Sequence, residues 1–215
     1  MSRVPTSGLY YPNKFGLLVI NALKDVMGQN GIDAILKLAQ LEQMVDAYPP
    51  NDLTRAFDFA ALSSIIIALE DMYGARGGQA LASRAGKALF AEGLKDFGAL
   101  AGVGDLALRI LPLRAKVKVG LPAFATIFNQ ITDQRVSVEE DGNDFLWQIT
   151  TCPVCWGRQD TNKPVCHLAG GLLEESLLWA SGGTNFSVVE ELCHAQGDAL
   201  CQFRITSPEW RKGQA

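Results

Sequence analysis

The residues of this 215-residue chain whose spacing is most suggestive of chemistry are its cysteines. Cys193 and Cys201 stand at equal distances from Gly197 in the stretch VVEELCHAQGDALCQFRI. If a hairpin turns at Gly197, the two cysteines face each other with Cβ atoms about 4.5–5.5 Å apart. Two thiolates at that distance can bind one tetrahedral zinc ion through Zn–S bonds of about 2.3 Å. We therefore expect a zinc site at this hairpin.

Such a site needs two more ligands. Glu190 precedes Cys193 by three positions, so a regular strand would direct the two side chains to opposite faces. The zinc interpretation therefore predicts a bulge or a strand start near Glu191. Cys166 is one candidate for the fourth ligand, because it lies at a helix N-terminus, which lowers the pKa of a thiol and favours the metal-binding thiolate. His167 is an alternative to Cys166, whereas His194 should point away from the metal.

A second pair, Cys152 and Cys155, leaves another donor set open. Together with Cys193 and Cys201 it would form a four-cysteine zinc site. A thioredoxin-like redox role is disfavoured, because this pair follows a hairpin rather than lying in a βαβ unit. Free cysteines also occur simply as small buried residues. The odd total of five excludes a fully paired disulfide framework within one chain.

The periodicity of apolar residues predicts an α+β protein. Residues 1–132 read as helices, with stops near Gly28 and Gly74, a helix start near Asp52 and a turn at 102–105. Pro112 and Pro122 should break or kink the last of these helices. Residues 133–215 read as hairpin, helix and hairpin, with a turn at 141–142, a helix over 165–181 and a final hairpin over 186–205. We expect one domain, 1–215, in which the helices pack on an antiparallel sheet of about four strands.

The composition of the chain, and the absence of certain sequence motifs, argue against several classes of function. The net charge is −4 with scattered basic residues, which argues against nucleic-acid binding. No apolar run reaches the ~18 residues of a membrane span, and no secretory signal is evident, so we expect a cytoplasmic protein with reduced thiols. There is no nucleophile elbow and no Gly-rich phosphate loop. Direct catalysis is therefore less favoured than binding.

The segments CPVCWGR, KPVCHLAGGLLE and VEELCHAQGDALCQFRI resemble the V4R (4-vinyl reductase-type) small-molecule-binding domain. That family includes hydrocarbon-binding proteins of bacteria and archaea. It is similar to the sensor domains of phenol-responsive activators and, in fold, to TRAPP vesicle-tethering subunits. The resemblance covers residues 136–205. It implies a TRAPP-like or NO-signalling-like ligand-binding fold and a structural zinc on Cys166, Glu190, Cys193 and Cys201.

The same resemblance implies a sensor or carrier for an apolar, aromatic or tetrapyrrole-like ligand. Trp147, Trp179 and Phe186 are the candidate pocket residues, although large aromatic side chains more often belong to the core. One alternative is an accessory protein of tetrapyrrole or bacteriochlorophyll synthesis, connected with vinyl reduction. The other is an interaction scaffold, a homodimer formed through helical faces such as residues 57–72.

Overall fold

Helices pack against a four-stranded antiparallel sheet in the computed structural model, which describes residues 3–97 and 111–207. The predicted α+β class is confirmed. The helical part contains β1 (Tyr10–Pro12), α1 (Asn13–Leu38), α2 (Gln43–Asp46), β2 (Arg55–Asp58), α3 (Phe59–Phe97) and α4 (Leu113–Ile131). It is followed by β3 (Val136–Asp141), β4 (Asp144–Ile149), α5 (His167–Ser181), β5 (Ser187–Leu192), a 3₁₀ turn (His194–Gln196) and β6 (Cys201–Thr206).

The two longest helices break where the sequence predicts. Gly28 in α1 has φ 77° and Gly74 in α3 has φ 70°, both in the left-handed region that glycine enters without a Cβ penalty. Pro112 precedes α4, and Pro122 lies within it. The predicted turn at 102–105 lies outside the described residues.

The start of α3 differs from the prediction of a helix directly after Asp52. Arg55–Asp58 instead forms β2, which pairs with β1 as a two-stranded sheet. The Asp58 carboxylate accepts a hydrogen bond from the Ala60 N–H at 2.7 Å, which caps the helix there. The same carboxylate accepts from the Ser7 hydroxyl at 2.7 Å. A long-range contact to the N-terminal segment thus accompanies the later helix start.

The main sheet has the strand order β3-β4-β6-β5, so the two predicted hairpins join through β4 and β6. In that central pair Trp147 lies opposite Phe203, and Ile149 lies opposite Cys201. The last hairpin carries a register shift between Glu190 and Leu192. This is the irregularity that the ligand spacing predicted near Glu191.

Close packing of α3 on α5 positions the start of α5. A Cβ added to Gly171 would lie 2.1 Å from the Ser83 carbonyl oxygen, and one added to Gly86 would lie 2.1 Å from the Leu168 carbonyl oxygen. Only glycine permits backbones to approach this closely. At the other end of α5, Gly182 adopts the left-handed conformation (φ 79°) and ends the helix where predicted.

The apolar helical segments form the interior of the chain. Residues 57–72 contain fully buried side chains such as Phe59, Leu62 and Ile65, so most of this segment is core rather than the dimer face suggested from sequence. Met72, at its end, is 40% exposed. Within the described ranges, no helix has both the length and the apolar character needed to cross a bilayer.

Candidate functional site

All five cysteines converge at one end of the main sheet. Cys152 and Cys155 lie in the loop after β4, Cys166 is the N-cap of α5, Cys193 follows β5, and Cys201 begins β6. All are buried and none forms a disulfide. Three separate chain segments therefore meet in one group of five residues, the cysteine cluster.

The sulfur atoms are in direct contact. The Sγ–Sγ distances are 3.5 Å for Cys152–Cys166 and for Cys155–Cys201, 3.7 Å for Cys166–Cys201 and 3.9 Å for Cys166–Cys193. These separations are too long for a disulfide bond. In a tetrahedral thiolate site with metal–sulfur bonds of about 2.3 Å, sulfurs stand about 3.8 Å apart. The spacing therefore suits metal ligation as well as thiol packing.

Glu190 brings a carboxylate to the cluster. Its Oε2 accepts a hydrogen bond of 2.8 Å from the Cys166 N–H, while its buried Oε1 has no hydrogen-bond partner. Burial raises the pKa of Glu190 to about 8, and the neighbouring Cys193 charge adds to this. A buried carboxylate oxygen without a hydrogen-bond partner, placed beside thiols, is a suitable donor for a cation.

The electrostatics of the thiols are uneven. Hydrogen bonds from Cys155, Cys166 and Cys201 lower the pKa of Cys193, because neighbouring thiols stabilise its thiolate. Burial raises the pKa of Cys166. The pKa values of Cys193 and Cys166 are therefore shifted in opposite directions. A bound divalent cation would add the charge needed to deprotonate Cys166.

Contacts to three other parts of the chain hold the cysteine-bearing loop in place. Arg158 donates to both carboxylate oxygens of Glu70 on α3, at 3.0 and 2.7 Å. Trp156 donates its indole N–H to the Pro5 carbonyl oxygen at 3.0 Å. The loop also reaches the last hairpin, where the Thr161 N–H donates to the Ala195 carbonyl oxygen at 3.0 Å.

A surface groove of about 550 Å³ runs beside the cluster. Cys152 lines it together with Trp156, Arg158 and His194. Cys152 is 5% exposed, whereas the other four cysteines have no exposure. The groove therefore reaches the cluster at Cys152.

The structure groups the sequence-predicted ligands in two overlapping sets. Cys166, Glu190, Cys193 and Cys201 have donor atoms within 4.8 Å of one another, as do Cys152, Cys155, Cys166 and Cys201. The alternative combination of Cys152 and Cys155 with Cys193 and Cys201 is not one of these sets. The grouping of Cys152 and Cys155 with Cys166 was not predicted, although Cys155 and Cys166 both follow Pro-Val in the sequence.

The histidines lie outside both donor sets. The Nδ1 of His194 is 3.0 Å from the Asp198 carbonyl oxygen at the exposed hairpin tip. His167 follows Cys166, and its buried Nε2 lacks a hydrogen-bond partner. Burial lowers the pKa of His167, which favours the neutral ring.

The predicted pocket residues take three different positions. Trp147 is 2% exposed and packs against the Phe124 and Phe128 rings of α4, with centroids 5.5 and 6.2 Å away. Trp179 is 44% exposed, and its ring lies 6.1 Å from that of Phe90 on α3. Phe186 is partly buried against the core. Trp147 and Trp179 thus border one aromatic region between the sheet, α3, α4 and α5.

Comparison with known proteins finds likeness in structure alone, since no family model and no curated protein matches the chain. An H-NOX protein from S. oneidensis in the Fe(II)NO ligation state is 15% identical, with 89% of this chain and 98% of that chain covered and a TM-score of 0.58. The Fe(II) unliganded H-NOX protein from K. algicida is 12% identical, with coverages of 91% and 96% and a TM-score of 0.59. A structure solved to probe heme distortion in the H-NOX family is 15% identical, with coverages of 92% and 95% and a TM-score of 0.55.

These structures overturn the prediction of zinc as the cofactor. The solved proteins with this fold are described with Fe(II) and with heme, not with zinc. Cysteine and glutamate donors were a sufficient reason to expect a metal, but donor types do not by themselves select one metal.

The histidines and cysteines of this chain do not form a haem site either. A haem iron needs an axial side chain that faces the macrocycle in its pocket. His194 lies at an exposed hairpin tip, and His167 adjoins a cluster whose sulfurs face one another. What the comparison establishes is architecture: this chain has the α+β fold of the H-NOX domains.

Proposed function

We propose that this chain is a small-molecule-binding sensor or carrier domain whose cysteine cluster binds a thiophilic divalent metal ion. The observation that carries the metal site is the convergence of three sulfurs and the Glu190 carboxylate within 4.8 Å, with Oε1 of Glu190 unpartnered. The ion would join Cys166 at the start of α5 to Cys193 and Cys201 of the last hairpin. Its role would be structural, because four protein ligands leave no open position.

The sensor or carrier part of the proposal is supported by the fold. Proteins of this fold include the H-NOX protein solved in its Fe(II)NO ligation state, in which a small molecule is bound. The resemblance of residues 136–205 to V4R domains points to the same class of function. One hydrophobic core contains residues of both the helical part and the sheet, which supports the single domain 1–215.

An apolar or aromatic ligand would bind in the aromatic region between sheet and helices. Trp147 on β4 and Trp179 on α5 border it, together with Phe90 and Phe124. Aromatic rings bind apolar molecules through large contact areas and edge or stacked ring geometry. Phe186 remains a proposed pocket residue at the periphery of this core.

The metal site and this region share two strands. Trp147 lies opposite Phe203, and two positions further along the same strands Ile149 lies opposite Cys201. Two positions span about 7 Å of strand. An ion that fixes Cys201 would therefore hold the floor of the ligand region in register.

Native mass spectrometry of the purified protein tests both parts together. The expected spectrum shows metal adducts on the wild type and none on Cys166→Ala. Val154→Ala is the matched control, a buried change on the neighbouring loop that removes no ligand, and it should keep the metal. Absence of metal from wild type prepared under reducing conditions with added Co²⁺ would overturn the metal site.

Ligand binding is tested separately with naphthalene as the probe. Binding should quench tryptophan fluorescence in the wild type, and Trp147→Phe should weaken the quenching while keeping an apolar ring in the core. Unchanged fluorescence at saturating naphthalene would contradict an aromatic-ligand site.

A second candidate is a carrier for tetrapyrroles in pigment synthesis. It is favoured by the solved structure of this fold that was used to study heme distortion, since heme is a tetrapyrrole. Here the macrocycle would bind by stacking on aromatic side chains rather than through an axial histidine. Titration with protoporphyrin IX should then give a saturable shift of its absorption band, and no shift would remove this candidate.

The remaining expectations stay predictions. A homodimer would give a light-scattering mass of about twice 23.2 kDa. We also propose a cytoplasmic location and a non-enzymatic role.

A further inference from the structure

We infer that the cysteine cluster holds two metal ions, bridged by the thiolates of Cys166 and Cys201. This inference rests on the proposed metal site and extends it. Set A is defined as Cys152, Cys155, Cys166 and Cys201, and set B as Cys166, Glu190, Cys193 and Cys201. Each set supplies four donor atoms within 4.8 Å of one another, which is one tetrahedral site.

The sulfur–sulfur distances fit two tetrahedra with a common edge. The shared sulfurs, Cys166 and Cys201, are 3.7 Å apart, close to the ~3.8 Å edge of a tetrahedral thiolate site. Terminal sulfurs flank the shared pair at similar distances: Cys152 is 3.5 Å from Cys166, Cys155 is 3.5 Å from Cys201, and Cys193 is 3.9 Å from Cys166. The six donors do not form one set within 4.8 Å, because Cys152 and Cys155 occur only in set A and Glu190 and Cys193 only in set B. One ion could therefore not use them all.

Two ions would give more of the donor atoms a metal partner than one ion would. If set A alone binds an ion, the buried Oε1 of Glu190 still has no partner. If set B alone binds an ion, the buried thiols of Cys152 and Cys155 remain at 3.5 Å from its ligands without a role. Two ions give every one of the six donors a metal partner.

The formal charge on the buried centre also favours two ions over one. One divalent ion with four anionic donors leaves a formal charge of about −2 on a single buried centre. Two such ions with six anionic donors leave the same total of about −2, or about −1 per ion. Spreading the charge over two centres lowers the cost of burying it.

The surroundings of the bridging sulfurs suit that residual negative charge. The His194 N–H donates to Sγ of Cys201 at 3.3 Å. Cys166 is the N-cap of α5, where the positive end of the helix dipole favours an anion. Both proposed bridges therefore have backbone dipoles directed toward them.

The two sites differ in chemistry. Set A offers four sulfurs, whereas set B offers three sulfurs and one oxygen, so a soft ion should bind more tightly to set A. Set A also contains Cys152, which lines the surface groove and gives the ion a path inward. We expect set A to fill first.

Titration with Co²⁺ under reducing, oxygen-free conditions tests the inference. Thiolate-to-cobalt absorption should rise until two equivalents per chain are bound. The cobalt EPR signal should grow with the first equivalent and fall with the second, because bridging thiolates couple the two spins. The double variant Cys152→Ser/Cys155→Ser and the matched variant Glu190→Gln/Cys193→Ser should each bind one equivalent and keep an uncoupled EPR signal.

The outcomes separate this inference from the proposed function. Saturation of the wild type at one cobalt, with an EPR signal that never declines, overturns the two-ion centre and leaves a single metal site. No cobalt charge-transfer absorption at all overturns both. If a variant fails to fold by circular dichroism, the stoichiometry and spin coupling of the wild type still decide the question.

Discussion

The contact between α3 and α5 allows a quantitative test with two neighbouring glycines. In Gly171→Ala the new Cβ would lie 2.1 Å from the Ser83 carbonyl oxygen, so the two helices would have to separate by more than about 1 Å to reach an ordinary contact. Overpacking of this kind costs about 1–3 kcal/mol. For a chain of this length that corresponds to a fall in Tm of roughly 2–12 °C.

Gly170→Ala is the control at the next position of the same helix. Its new Cβ would meet only the Phe203 ring edge at 3.7 Å, an ordinary contact. Alanine is favoured over glycine in a helix by about 1 kcal/mol, so this variant should be slightly more stable than the wild type. Thermal unfolding followed by circular dichroism measures both. If Gly171→Ala unfolds at or above the midpoint of Gly170→Ala, the close approach of α3 and α5 is refuted.

Further predictions concern the loop, the ion and the thiols. In urea titrations Arg158→Ala should lower the free energy of unfolding by about 3 kcal/mol, because it leaves the largely buried Glu70 carboxylate without its partner. Arg3→Ala breaks a more exposed pair and should lower the free energy of unfolding by at most about 1 kcal/mol. A chelator in excess should lower Tm by roughly 5–11 °C if the ion is present at about 100 times its Kd, and an unchanged Tm in calorimetry would contradict a structural ion. In the metal-free reduced protein Cys152 should be the first cysteine alkylated by iodoacetamide, because it is the only cysteine that lines the groove. Initial labelling of Cys155 in peptide mass spectra would contradict that access path.

Local signals in the sequence were sufficient to predict the last hairpin and the end of α5. The equal spacing of Cys193 and Cys201 about Gly197, with Glu190 three positions earlier, predicted the bulge that the strands show. Gly182 marked the end of α5 because a left-handed residue is needed there. These features depend on residues close together in the chain.

Features that depend on distant residues were not predictable in the same way. β1 and β2 are three and four residues long, and they pair only because the N-terminal segment meets Arg55–Asp58. The cysteine-bearing loop reaches the cluster through Arg158–Glu70 and Trp156–Pro5 contacts that span large sequence separations. The sequence therefore indicated candidate metal ligands. It did not indicate that Cys166 also lies within reach of Cys152 and Cys155.

The identity of the cofactor was not predictable from the sequence for a different reason. Cysteine and carboxylate donors predict a thiophilic ion, but several ions accept the same donors and geometry. Zinc was inferred from that chemistry and from a family resemblance, and the solved structures of this fold point elsewhere. Residue types indicate candidate ligands more readily than they indicate which ion binds them.

X-ray absorption spectroscopy at the edge of the metal in the purified protein would decide whether sulfur binds a metal in the cysteine cluster. We expect a first shell dominated by sulfur at about 2.3 Å, with three or four sulfur atoms per ion. A first shell made only of nitrogen and oxygen atoms, or a protein that retains no metal under reducing conditions, would contradict this expectation.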